Sequence, residues 1–139
     1  MQYSFDLLND IFVWCIQDKE FMKMLGISTT DKNLLDRQNN KLRREYQTDA
    51  NIESSDVPFI SYYFMHATNN THNYLVNVGD LYIDIYTHTM YEAGIIAKRF
   101  REILATHTEI QLNYEGQHYS GVNGVYKYRL IYNPLIDGR

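Results

Sequence analysis

The sequence has a single cysteine, Cys15, among 139 residues, so a disulfide within the chain is excluded. Cys15 stands in the apolar stretch IFVWCI, which indicates a small buried side chain rather than a reactive thiol. No apolar run approaches the ~20 residues of a membrane-spanning helix. The first residues, MQYSFDLLND, lack the basic start and the apolar stretch of a secretory signal. We therefore expect a protein that is made and folded in the cytosol, with no membrane partner.

The sequence also has little that would support catalysis or hold a metal ion. Gly121 and Gly124, in SGVNG, suit a hairpin turn better than a phosphate-binding loop. Ser120 is close to His118, but neighbours in sequence seldom have triad geometry, and there is no nucleophile elbow. The five histidines have no metal-ligand spacing, and we expect all of them at strand ends or in turns: His66, His72, His88, His107 and His118. We predict no catalytic residue, no metal site and no cofactor.

The chain carries no excess of positive charge. Its formal net charge is −4, whereas a dedicated nucleic-acid-binding domain is usually basic overall or along one face. One short basic cluster, KLRRE at residues 41–45, is more typical of a solvated helix face than of a phosphate contact. The charge pattern therefore does not predict a nucleic-acid site.

The first part of the chain is helical and then polar. Apolar residues recur at helical spacing from Phe5 to Ile16, on more than one side of the predicted helix. Asp18 is suited to cap a second short helix that Gly26 ends. Residues 28–56 are polar, and we expect them to form a long loop or a mobile segment. One modest helix within them is supported by Leu34, Leu35 and Leu42.

The second part of the chain predicts a sheet. Strands are expected from Phe59 to about His66, from Leu81 to Thr87 and from Val125 to Tyr132. A further strand has three alternating apolar residues: Ile110, Leu112 and Tyr114. Short links between these elements favour an α+β domain, residues 1–139, in which helices pack on one face of a mainly antiparallel sheet of four to five strands.

The stretch LYIDIYTHTMYEAGIIAKRF, residues 81–100, changes its period halfway. Side chains first alternate and then recur at helical spacing, which predicts a strand that passes directly into a helix at residues 90–105. Thr89 and Glu92 have the spacing of a capping box, in which each side chain accepts from the other's backbone N–H. Tyr91 and Ile95 lie away from the stripe predicted to be buried, which comprises Ala93, Ile96, Ala97, Phe100, Ile103 and Leu104.

Tyrosine is abundant: the chain has thirteen, and eleven of them follow residue 60. The predicted strands carry large side chains on both faces, whereas helices on one side cover a single face. The second face, together with Tyr91 and Ile95, therefore implies a partner, for example another copy of the chain. Asp84, among tyrosines on that face, is either a carboxyl group with a raised pKa or, as is more common, a solvated or paired carboxylate.

The order of elements is carried by VPFISYYFM, GDLYIDIYTHTMYEAGIIAKRFREIL and NGVYKYRLIYN, with MLGI after the N-terminal helix. In this order the chain, mainly from Pro58 to Tyr132, resembles the tail-completion proteins of tailed bacteriophages, the tail terminator or tail-to-head joining family. The likeness lies in the pattern of strands and helices.

The resemblance implies a structural virion protein with no active site and no cofactor. Such proteins form a ring, usually a hexamer, that caps the tail tube protein, stops its polymerisation and docks onto the head-closure or connector protein. DNA passes through the lumen without sequence-specific binding. Assembly would take place in the bacterial cytoplasm, and the final location would be the neck end of the virion tail. The adjacent neck or head-closure ring is the alternative, and a small peptide-binding α+β module is less favoured.

Two polar, turn-rich stretches have the composition to reach neighbouring layers of such a particle, His66–Asp80 and Glu115–Gly124. Each carries apolar anchors, which favour docking because a free loop gains little from them. The predicted interface residues are Tyr74, Leu75 and Val76 in the first stretch, Tyr119 and Val122 in the second, and Tyr91 and Ile95 on the helix. The alternative is two ordinary hairpin tips whose side chains pack back on their own sheet.

Overall fold

A computed structural model describes residues 4–65 and 80–133, and the fold is α+β, as predicted. Within these residues the helices are α1 (Ser4–Gln17), α2 (Lys19–Met24), α3 (Leu34–Lys41) and α4 (Met90–His107). Two short 3-10 helices, Asp49–Asn51 and Ser54–Asp56, follow α3. No helix in the described ranges is long and apolar enough to cross a membrane.

The strands form one five-stranded mixed sheet with helices on one side. They are β1 (Leu42–Arg43), β2 (Phe59–Met65), β3 (Asp80–Thr87), β4 (Gln111–His118) and β5 (Tyr126–Asn133). Their order in the sheet is β1-β2-β3-β5-β4, in which β1 is parallel to β2 and the other neighbours are antiparallel. Helix α4 carries the chain from β3 past the neighbouring strand position, so β4 lies at the edge of the sheet. Strand β5 then lies between β3 and β4.

The main core lies between one face of the sheet and α1, α2 and α4. All six residues of the predicted α4 stripe are buried, which confirms the period of that helix. Phe100 has no exposed surface and lies against the rings of Phe21 and Tyr62, at centroid distances of 5.9 and 6.4 Å. The alternation predicted for β3 is also confirmed, since the core includes Leu81, Ile83 and Ile85.

A tight corner between α1 and α2 is held by Asp18. Its side chain accepts a hydrogen bond from the backbone N–H of Phe21 (2.8 Å), which confirms the predicted cap. It also pairs with Arg99 of α4 at 2.6 Å, so the cap ties the corner to the main helix. Burial by itself would raise the pKa of Asp18, but the hydrogen bonds from Arg99 and Phe21 hold that pKa below its usual value. Gly26, with φ of 77°, follows the end of α2 as predicted.

Residues 28–56 contain more regular structure than the predicted loop with one helix. The chain passes from α3 directly into β1, which extends the sheet by pairing Leu42 with Ile60 and Arg43 with Ser61. The reason is that Leu42 is completely buried and so anchors the segment at the sheet edge.

The basic cluster at residues 41–45 is not a solvated helix face, and that prediction was wrong. Lys41 donates its Nζ to the backbone carbonyl of Asp56 (2.7 Å). Arg43 lies 3.9 Å from the centroid of the Phe59 ring and pairs with the Asp56 carboxylate at 3.1 Å. Arg44 lies over the Phe12 ring, 4.3 Å from its centroid. These cations hold residues 28–56, which we call the polar segment, against the rest of the domain.

Strand β4 contains an irregularity that simple alternation did not predict. Leu112 and Tyr114 pair with successive residues of β5, so Asn113 is an extra residue in the register. Leu112 and Tyr114 therefore belong to opposite faces of the sheet, and the alternating pattern predicted for them was wrong. The strand also continues to His118, so the turn occupies the second part of the predicted Glu115–Gly124 stretch.

Of the three histidines within the described residues, two lie at strand ends or in turns, as predicted. His107 is the last residue of α4, not a turn residue, and its ring stacks on Trp14 with 4.7 Å between centroids. His88 lies in the bend before α4, and His118 is the last residue of β4. The other two lie outside the described residues: His66 and His72.

Candidate interaction surface

The junction between β3 and α4 is held by side chains of the chain itself. Thr87 donates its Oγ1 to the backbone carbonyl of Thr89 (2.6 Å). Thr89 Oγ1 accepts a hydrogen bond from the N–H of Glu92 (3.1 Å), which is one half of the predicted capping box. Because the helix is capped in this way, the junction requires no bound ligand to form.

Helix α4 presents two large apolar side chains on the side away from the core. Tyr91 is 81% exposed and Ile95 is 40% exposed, and the two are one helical turn apart. Their outward position was predicted from the period of the helix. Residues at this spacing are neighbours on the helix surface, so they offer one continuous patch of the type found in protein interfaces. Their role in an interface stays a prediction.

The turn between β4 and β5 is organised by Ser120, which is buried. Its Oγ accepts the N–H of Val122 (3.0 Å) and donates to the carbonyl of Val125 (2.7 Å). Gly121 and Gly124 adopt φ of 83° and 77°, the left-handed region that favours glycine, so the predicted hairpin role is confirmed. The Ser120 hydroxyl is thus engaged in the turn rather than poised as a nucleophile.

The two predicted interface residues of this turn differ in environment. Tyr119 is 89% exposed. Val122 instead packs against a small second cluster, which comprises Ile52, Val57, Phe59, Tyr86 and Val125. For Val122 the arrangement is therefore the alternative stated above, a side chain packed back on its own domain.

Tyr91 and Tyr119 belong to the same end of the sheet. Thr87, the last residue of β3, pairs with Tyr126, the first residue of β5. The β3–α4 junction and the β4–β5 turn therefore both leave the sheet at this end. Tyr126 is itself 43% exposed. It was not among the predicted interface residues, because alternation predicts which face of the sheet a side chain occupies but not how far along the strand the helices cover that face. We call Tyr91, Ile95, Tyr119 and Tyr126 the aromatic end.

The connection between β2 and β3 leaves the sheet at its other end. Met65 and Asp80 pair with each other there, at the opposite end of the seven-residue β2 from the Phe59–Tyr86 pair. The predicted interface residues of that connection lie outside the described residues: Tyr74, Leu75 and Val76.

The second face of the sheet carries a buried ionic network around Asp84. The carboxylate has no exposed surface and accepts hydrogen bonds from Arg129 Nε (2.7 Å) and the Tyr63 hydroxyl (2.7 Å). Lys127 Nζ lies 3.7 Å from it. Burial and the nearby carboxylate raise the pKa of Tyr63, and burial lowers the pKa of Lys127. The paired alternative for Asp84 is therefore the one observed.

Part of this second face is covered by the chain itself, which corrects the prediction that the whole face needs a partner. Phe59 and Tyr86 stack with 4.6 Å between ring centroids, and Ile52 and Val57 pack against them. The Tyr46 ring meets the Tyr63 ring edge-on at 5.4 Å. The polar segment provides this cover, so the case for a partner rests on the exposed aromatic end.

An open groove of about 990 Å³ lies between α1, the end of α4 and the start of β4. It is lined by the stacked Trp14 and His107 and by carboxylates of Asp10 and Glu109. No group of three or more His, Cys, Asp or Glu side chains within residues 4–65 and 80–133 is arranged to hold a metal ion. Cys15 is buried elsewhere in the core, where burial and then the negative charge of Asp18 raise the pKa of its thiol.

The fold defines the class of protein: an α+β unit whose outward features are exposed aromatic and aliphatic side chains. No protein-family model and no curated protein matches the chain. Its function therefore has to be inferred from its fold, its surface and the pattern of its sequence.

Proposed function

We propose that the protein is a structural component of a tailed-bacteriophage virion, a ring that caps the tail tube and joins the tail to the head connector. The observation that carries the proposal is the aromatic end, where Tyr91 and Ile95 lie outside the core on a capped helix. Side chains of this size gain free energy when a partner removes them from water. The resemblance of the sequence pattern to tail-completion proteins suggests what that partner is.

A closed ring of identical subunits uses a heterologous contact, in which two different patches of the same subunit meet. The start of α4 is suited to be one patch, because Tyr91 and Ile95 are exposed there, one turn apart on a regular element. The exposed edge strand β4 is suited to be part of the other, since its outer backbone groups have no neighbouring strand in the described sheet. Ring closure then covers both features.

A ring between a tube and a connector has to contact a different protein on each side. The β4–β5 turn and the β2–β3 connection leave the sheet at opposite ends, as the Thr87–Tyr126 and Met65–Asp80 pairs require. Tyr119, almost fully exposed at the tip of the turn, supplies an anchor for one of these layers. The formal net charge of −4 suits a lumen through which DNA slides, because tight phosphate binding requires a basic stripe.

The first test is the oligomeric state of the purified protein. A hexamer of the 16.5 kDa chain has a mass of about 99 kDa, which light scattering after size-exclusion chromatography measures directly. Negative-stain electron microscopy should then show rings with a central opening. A monomer at all concentrations, with no ring on purified tail tubes, would contradict the proposal.

The second test separates the tail cap from the adjacent neck ring. Disruption of the gene in the producing phage should give separate heads and tails with tubes of irregular length. Separated heads and tails with tubes of normal length would instead assign the protein to the head-closure layer. Normal infectious particles would contradict both assignments.

A further inference from the structure

A small apolar groove lies between α2 and α3. Its volume is about 370 Å³, near the lower limit for sites that hold a small ligand or a single anchoring side chain. Its apolar lining comprises Ile16, Met22, Ile27 and Leu34. Met22 and Ile27 are buried and form the floor of the groove. The wall on the α3 side is formed by Leu34 and Gln38, which are one helical turn apart.

Gln38 is the polar group in this groove. The residue is only 9% exposed, and its side-chain amide has no hydrogen-bond partner in the part of the chain that the structure describes. Within the described residues, the side-chain polar atoms that are both fully enclosed and without a partner are the hydroxyls of Tyr62 and Tyr86. The Gln38 amide is not among them, so its atoms are not fully enclosed, and the residue lines the groove. An amide in such a position offers both a donor and an acceptor to a peptide backbone.

The rim of the groove is positively charged. Lys19 and Lys23, one turn apart on α2, both line it and are exposed. Neither forms an ion pair with any described residue. The neighbouring carboxylates are already engaged, since Glu20 lies 3.6 Å from Arg99 and Asp31 lies 2.6 Å from Arg37. Among the described residues, the groove thus combines an apolar floor, an amide without a hydrogen-bond partner and two ammonium groups without an ion pair.

We infer that this groove binds a peptide segment of a partner protein that presents an aliphatic side chain next to a carboxylate. The aliphatic group fills the floor, the peptide backbone pairs with the Gln38 amide, and the carboxylate lies between Lys19 and Lys23. The charge of the rim selects an acidic segment, because a basic one would place like charges together. The site does not depend on the ring assembly proposed above.

The test uses methyl NMR of the full chain labelled at Ile, Leu and Met, with the peptide acetyl-Gly-Leu-Asp-Gly-amide as the probe. The methyl signals of Met22, Ile27 and Leu34 should shift and saturate. The matched neutral peptide, with Asn in place of Asp, should bind about two- to fivefold more weakly, the range for a pair of exposed charges. Lys19→Gln combined with Lys23→Gln should abolish that preference. Lys98→Gln on α4 makes the same kind of substitution outside the groove, with the loss of one positive charge, and should leave the preference intact.

Gln38→Leu should weaken both peptides equally, by about two- to tenfold, because it removes a hydrogen-bonding amide but no charge. The comparison of the two peptides on the unaltered protein stands even if this variant folds poorly. Three outcomes would overturn the inference: no saturation below about 10 mM, equal affinity for both peptides, or loss of the preference in Lys98→Gln. Rejection of the groove would leave the light-scattering test of the ring unaffected.

Discussion

The Tyr63 hydroxyl donates a 2.7 Å hydrogen bond to Asp84, a carboxylate with no exposed surface. The hydroxyl of the preceding residue, Tyr62, is also buried but has no partner within the described residues. The difference arises because successive residues of β2 point to opposite faces of the sheet. One tyrosine therefore meets the ionic network of the second face, and its neighbour enters the apolar core.

This pair gives a matched test of stability. Tyr63→Phe should lower the free energy of unfolding by about 1.5–3 kcal/mol, because it removes a buried hydrogen bond to a charged group. Tyr62→Phe should change it by less than about 1 kcal/mol or raise it, since the lost hydroxyl made no hydrogen bond. Urea unfolding of both variants measures the difference. Equal losses would show that the Asp84 network does not depend on Tyr63.

Phe100→Ala should cost about 3–5 kcal/mol, because it opens a cavity where the ring lay between helix and sheet. The matched control is Lys98→Ala on the same helix, an exposed position at which we expect a change within ~0.5 kcal/mol. Urea unfolding at a protein concentration where each variant is a single species provides both values. A Phe100→Ala loss below ~1 kcal/mol would place that ring outside the core.

Ile95→Glu should weaken the ring while leaving each subunit folded. The side chain is outside the core, so a charge is tolerated in the monomer but is costly when an apolar neighbour covers it. Light scattering should show a shift toward monomer, and circular dichroism should show unchanged helix content. Leu35→Glu on α3, an equally drastic change at an exposed aliphatic residue, is the control and should leave assembly unaltered. Loss of folded monomer in Ile95→Glu would assign that residue to the core.

Tyr119→Ser should leave the free energy of unfolding within ~0.5 kcal/mol of its original value, since the ring is almost fully exposed. Joining of tails to heads should decrease, because the projecting ring is the proposed docking anchor. In contrast, Val122→Ser should destabilise the fold by about 1 kcal/mol through lost packing on the second cluster. Normal joining by Tyr119→Ser would remove this turn from the docking surface.

Asp18 gives a prediction for acid pH. Its folded-state pKa is lowered, so the stabilisation is present above the unfolded pKa of about 3.9 and is lost as pH falls through the folded value. At pH 7, Asp18→Asn should lose about 0.5–1 kcal/mol, because Asn preserves the cap but not the pairing with Arg99. The gap between variant and original protein should begin to narrow below about pH 4 and should close as the pH falls through the lowered folded pKa. Glu109→Gln is the control, and a gap that did not narrow at all as the pH fell below about 4 would show that the ion pair is not its cause.

Helix α4 and the helix caps were predictable because their signals are local. In α4, apolar residues recur every three or four positions and Thr89 provides a cap, so the start and the buried face of the helix followed from the sequence, although the helix continues two residues beyond its predicted end. The exposure of Tyr91 and Ile95 followed from the same geometry, since a helix residue that lies outside the buried stripe is on the side of the helix that faces away from the core. The roles of Asp18 and Gly26 at the ends of α2 were predictable for the same reason, because a cap involves residues only a few positions apart in the chain.

The polar segment was not predictable in the same way, because its partners are remote in the chain. Arg43 is held by Phe59 and Asp56, and Lys41 by the backbone of Asp56, contacts that no spacing within KLRRE reveals. The same holds for the groove rimmed by Lys19 and Lys23, which exists because α3 is brought beside α2. The extra residue in β4 likewise depends on its pairing with β5.

The sequence by itself determined the helix periods, the caps, the strand alternation of β3 and the α+β class, since each depends on hydrogen bonds or side-chain spacing within a few residues. The tertiary structure decided which charges are buried, which part of the second sheet face the chain covers for itself and which tyrosines remain exposed. Asp84 shows the reason. Whether a carboxylate among tyrosines is solvated or paired depends on Arg129, 45 positions away in the chain, and that distance is closed only when β3 and β5 lie side by side.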